Sequence, residues 1–97
     1  MGLRVRWSRQ SHGHLLAIRQ RIREDNPAAA ERMRVRIVKL VKLLGTMPAL
    51  GHPGRRRGTM EFVISPYIIV YRTISPSLVV LGIFHGHREE WEDFSDA

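Results

Sequence analysis

Gly51-His-Pro-Gly-Arg-Arg-Arg-Gly-Thr-Met-Glu61, running on through Phe62-Val63-Ile64 and Tyr67-Ile-Ile-Val-Tyr-Arg72 to Leu78-Val-Val-Leu-Gly-Ile-Phe84, is the stretch on which the fold turns. Its first part is a loop: residues 45–59 hold Gly45, Gly51, Gly54 and Gly58, Pro48 and Pro53, and the Arg55-Arg56-Arg57 run. Three apolar runs rich in β-branched and aromatic residues follow, Met60–Ile64, Tyr67–Ile74 and Leu78–Phe84. Only Ser65-Pro66 and Ser75-Pro76-Ser77 separate them, links too short for a crossover, so the spacing predicts an antiparallel meander. Tyr67–Val70 and Leu78–Leu81 are continuously apolar, as expected of central strands covered on both faces.

Upstream of this stretch the period changes. Leu3, Val5 and Trp7 alternate with Arg4 and Arg6, the pattern of a strand with one buried face. Ser8 or Ser11 then caps a helix in which Leu15, Ile18 and Ile22 form one stripe with Leu16 beside it. Asp25-Asn26-Pro27 ends that helix, because proline disfavours helical geometry at the residue before it. Asn26 and Pro27 also start a second helix as N-cap and first helical residue. Ala30, Met33, Ile37, Leu40, Val41 and Leu44 make its apolar stripe, with Arg32, Arg36, Lys39 and Lys42 largely opposite. Val35, Val38 and Leu43 fall outside the stripe, so apolar neighbours on more than one side are expected. Gly45 is expected to close the helix as a C-cap glycine. The predicted order is β-α-α-β-β-β: an α+β domain with an antiparallel helical hairpin packed on a mostly antiparallel sheet.

Ninety-seven residues suit a single domain, taken as 1–97 with a core over roughly 3–91 and a tail over 92–97. There is no cysteine, so disulfides and thiolate metal sites are excluded. No apolar run approaches the ~18 residues of a membrane span. Leu3–Trp7 is not followed by the hydrophobic region of a signal peptide, so a bacterial cytoplasmic location is expected. The net charge of +7 is divided unevenly. Residues 1–58 set 14 Lys and Arg against Glu24, Asp25 and Glu31, a balance of +11. Residues 59–97 set Arg72 and Arg88 against Glu61, Glu89, Glu90, Glu92, Asp93 and Asp96, a balance of −4. A polyanionic or acidic partner for the first part follows from this asymmetry.

One strand followed by LLAIRQRIREDNPAAAERM, LLGTMPALGHPGRRRGTMEFVI, YIIVYR and VVLGIFHGHREEW resembles the ParE branch of the RelE/ParE toxins over residues 3–91. That resemblance implies a toxin of a type II toxin–antitoxin module. It implies a ParD-like antitoxin whose acidic and apolar C-terminal segment wraps the toxin, and operator DNA met only through the antitoxin. ParE-like members poison DNA gyrase; RelE-like members cut messenger RNA on the ribosome. RelE-type nucleases carry lysines on the strand equivalent to Met60–Ile64, where this chain has Glu61 and Val63. An arginine of theirs aligns with Ile68, another is matched by Arg88, and a tyrosine meets Trp91 or Phe94. One catalytic position survives, so the resemblance implies a gyrase inhibitor without catalysis of its own. Other nuclease members use Glu, Arg and His, and Glu61, Arg72, His85, His87 and Arg88 are the residues available for an mRNA endonuclease as the alternative.

Each candidate also has a structural reading. Arg55, Arg56 and Arg57 suit DNA, gyrase or an acidic antitoxin, since guanidinium binds phosphate and carboxylate alike, or they form a solvated loop. Arg72 is placed to contact the target or to pair with Glu61 across the sheet. Arg88 is a candidate functional cation or a partner for Glu89, Glu90 and Glu92. Trp91 contacts a target or anchors the tail on the core. His85 and His87 share a strand face; zinc would need a third ligand, and no metal or cofactor is expected. His12 and His14, early in the first helix, are read as exposed surface residues.

Overall fold

The computed structural model describes residues 2–86. A first strand, β1 (Arg4–Trp7), leads into α1 (Arg9–Asp25) and α2 (Pro27–Thr46). A single 3-10 turn over Pro48–Leu50 follows, then β2 (His52–Pro53), β3 (Met60–Ile64), β4 (Tyr67–Ile74) and β5 (Ser77–His85). The strands form one sheet in the order β1-β5-β4-β3-β2, antiparallel except for the parallel pairing of β1 with β5. The α+β arrangement is the one the residue pattern predicts, with β4 and β5 at the centre.

Both helices start where their caps place them. Ser8, not Ser11, is the N-cap of α1, its hydroxyl accepting the Ser11 N–H at 3.0 Å. Asn26 caps α2 by accepting the Ala29 N–H at 3.0 Å, with Pro27 as its first residue. Ala30, Ile37, Val41 and Leu44 are buried from α2, and Leu15 from α1. Leu16 and Leu43 are left exposed. Val38, outside the main stripe of α2, is half-buried and packs against the core, so this helix does meet apolar neighbours beyond its stripe.

Gly45 departs from expectation: α2 continues to Thr46 and Met47 is its C-cap. The glycine serves a close approach instead. A Cβ there would lie 2.9 Å from Val5 Cγ2 and 3.2 Å from the Leu3 carbonyl oxygen, and the Gly45 carbonyl accepts the Leu3 N–H at 2.7 Å. The missing side chain therefore lets β1 dock on the end of α2. Within the region read as loop, His52 and Pro53 form a short edge strand opposite Glu61 and Met60. Proline is tolerated there because an edge strand has a side that needs no donor.

The sheet has two apolar faces. Ile64, Tyr67, Ile69, Tyr71, Leu78, Val80 and Ile83 pack against Leu15, Ile37, Val41 and Leu44 of the helices. Val70, Leu81 and Phe84 cluster separately, with Ile68 and Val79 against them. Successive residues of β4 supply the two clusters in turn, the period of a strand, and so do those of β5 up to Leu81. A register shift opposite Val70 and Tyr71 then inverts the order, so that Ile83 joins the first cluster and Phe84 the second.

Candidate functional site

The arginine loop is a pinned structure. Between β2 and β3 the Gly54 N–H donates to the Thr59 carbonyl at 2.8 Å, and the Thr59 N–H donates to the Arg56 carbonyl at 3.1 Å. The Thr59 hydroxyl donates to the same Arg56 oxygen at 2.6 Å. Gly58 turns the chain with a φ of 78°, a conformation that side chains rarely adopt. Two of the charged candidates hold this loop from below. Glu61 is buried, and its Oε2 accepts the Arg55 backbone N–H at 2.8 Å. Arg72 donates from Nε to the Gly58 carbonyl at 3.3 Å. Arg55 and Arg57 are exposed and Arg56 is half-buried, so the loop presents its cations on a fixed backbone.

Tyr71 secures the preceding segment. Its phenol, buried in the sheet, donates to the Pro48 carbonyl at 2.6 Å and accepts the Gly51 N–H at 3.1 Å. Burial pushes the phenol pKa above its ordinary value, and the bond from Gly51 works the other way. The hydroxyl stays protonated, as its role as donor requires.

A second region lies at the far end of β4 and β5. The register pairs Tyr67 with His85 and Arg72 with Val79. Five residues of strand therefore separate the Arg72 end from the Tyr67 end, roughly 17 Å at the ordinary rise. His85 packs edge-on against Tyr67, with ring centres 6.1 Å apart. Of the candidates for acid–base chemistry, the fold brings Glu61 and Arg72 to the loop and places His85 elsewhere. His87, Arg88 and Trp91 lie outside the described residues.

Beside His85 a cavity of about 310 Å³ opens between α1 and the sheet. His14, Ala17, Ile18 and Arg21 form its helical wall. Tyr67, Ile83, Phe84 and His85 form the strand wall. Here the reading of His14 as an exposed helix residue is corrected: it is half-buried, and its ring meets Phe84 edge-on with centroids 5.0 Å apart. Its Nδ1 accepts the Ile83 N–H at 3.1 Å, which leaves the proton on Nε2. Burial holds its pKa below the ordinary value. His12, two residues earlier, is exposed as expected.

The sequence carried one signal for this wall, since His14, Ala17, Ile18 and Arg21 follow the spacing of a single helix face. No group of three or more His, Asp or Glu side chains could hold a metal ion among the described residues. Within them, no helix is long and apolar enough to cross a membrane.

Two helices against one face of a five-stranded sheet, with β1 parallel to β5 and the rest meandering, is a fold found in RelE/ParE toxins. The chromosomal ParDE toxin–antitoxin system from P. aeruginosa superposes with a TM-score of 0.79 at 22% identity, over 86% of this chain and 95% of that one. The RelBE2 toxin–antitoxin complex from Mycobacterium tuberculosis gives a TM-score of 0.65, also at 22% identity, over 88% and 99%. In sequence, the chain is 40% identical over 88 residues to "Putative toxin Y4kP" of Sinorhizobium fredii (strain NBRC 101917 / NGR234), spanning 89% of this chain and 91% of that relative. Residues 5–90 match the family described as ParE toxin of type II toxin-antitoxin system, parDE. The chain belongs to that family.

Proposed function

We propose that this toxin acts by binding DNA gyrase, without breaking phosphodiester bonds itself, and that a cognate antitoxin neutralises it. The observation that carries the reading is the use made of Glu61 and Arg72. RNA cleavage by 2′-hydroxyl attack needs a base, a cation for the phosphate and an acid converging within hydrogen-bond reach of one phosphodiester. In this chain the Glu61 carboxylate is buried under the loop and accepts the Arg55 N–H, while Arg72 holds the Gly58 carbonyl. His85 stands at the opposite end of the strands. The result is a rigid basic projection, suited to gripping a macromolecule.

The antitoxin reading has support of its own. Two solved systems that share the fold are a ParDE system and a RelBE2 toxin–antitoxin complex, and the first 58 residues carry the +11 balance that attracts an acidic segment. A supercoiling assay with purified gyrase tests the target. Stoichiometric toxin is expected to block supercoiling and trap cleaved DNA. Normal supercoiling together with transcripts cut in translating ribosomes would transfer the assignment to an mRNA endonuclease.

A further inference from the structure

We propose that the cavity between α1 and the ends of β4 and β5 seats one large apolar side chain of the antitoxin, with a neighbouring carboxylate of the same segment held at Arg21. This rests on the antitoxin reading above and specifies where and by what chemistry the segment anchors. The cavity, about 310 Å³, lies at the lower end of the range for ligand sites. That is room for a Leu or Phe side chain and a carboxylate.

The lining selects the chemistry. Ile18, Ile83 and Phe84 give apolar walls, and no carboxylate is among the described residues that line it. The polar groups present are imidazole, guanidinium and phenol. His14 is committed by its bond from Ile83, so its remaining ring nitrogen is a donor. On α1, His14 and Arg21 stand seven residues apart on one face, about 10 Å along the axis, with Ile18 between them. An occupant therefore meets apolar surface in the middle and a permanent cation at the Arg21 end, where the helix surface is exposed. A neutral apolar group would leave Arg21 unused, and a bare anion would leave Ile18 and Phe84 uncovered. An acidic segment steered by the +11 half of the chain supplies both groups together.

The test uses the isotopically labelled full chain and the peptide acetyl-Leu-Glu-Phe-Glu-amide, with the Gln-for-Glu peptide as comparison. Saturable NMR shifts are expected at the Ile83 amide and the His14 ring. The Gln peptide and the Arg21→Glu variant should each weaken binding about tenfold, the scale of one lost charged contact. Arg4→Glu, the same charge change on exposed β1, should weaken it less than about twofold, as expected of a distant screened charge. Shifts confined to the arginine loop, equal losses from Arg4→Glu and Arg21→Glu, or no saturable binding would each overturn the pocket assignment. The antitoxin reading is judged separately, by whether co-expression of a ParD-like antitoxin restores growth to cells making the unaltered toxin.

Discussion

Three residues past the end of β1, the Ile83 N–H of β5 faces no strand, and His14 Nδ1 from α1 takes the place of the missing carbonyl. Only an unprotonated Nδ1 accepts that bond. Burial lowers the pKa of the folded ring below the ordinary 6.5, so the unfolded chain takes up its proton first as pH falls. The stability contributed by the neutral ring is complete above about pH 6.5 and declines as pH drops toward the folded value. Arg21 and His85 share the cavity with His14, and among the described residues that line it none is a carboxylate that could compensate the ring's charge. Urea denaturation between about pH 5 and 8 should show a steeper acid-side loss for the unaltered chain than for His14→Gln. Parallel curves would remove His14 from the account. By sequence His14 reads as an exposed helix residue, because its partner is 69 residues away and is available only where β5 extends past β1.

Among the elements, the long strands and the helices follow local patterning, and the segment between α2 and β3 does not. Glycine and proline density marked residues 45–59 as loop, while β2 and the 3-10 turn depend on contacts with Tyr71, Met60 and Glu61 that are remote in sequence. Glycine at a helix end is a general stop signal, yet Gly45 is inside α2 and answers to the packing of Val5. Glu61 illustrates the same limit, because an acid on a strand reads as chemistry or as an ion pair. Its carboxylate in fact satisfies a backbone donor of the arginine loop. Glu61→Ala is expected to free the Arg55 amide and speed its hydrogen exchange by about tenfold or more, since a backbone bond to a charged acceptor contributes ~1.5–3 kcal/mol. Unchanged exchange at Arg55 with ordinary folding would mean the loop holds itself.

For the whole molecule, charge and topology act together. The +11 of residues 1–58 is spread over β1, both helices and the arginine loop, whereas the described strands after it are mostly apolar. Association with the antitoxin should therefore slow and weaken steeply as salt rises, because steering by exposed charge is screened within about 8–10 Å near physiological ionic strength. Association rates measured from about 50 to 500 mM salt test this, and rates indifferent to salt would refute it. The order of the elements other than β2, the antiparallel meander, the apolar stripes, the start of α2 and the charge asymmetry were determined by the sequence alone, because each depends on neighbours within a few turns or one strand length. The parallel pairing of β1 with β5, the Tyr71 and Glu61 clamps on the loop, and the cavity around His14 were decided only by tertiary structure. Each of these is a contact between residues far apart in the chain, and local periodicity carries no record of which distant backbone group will lack a partner.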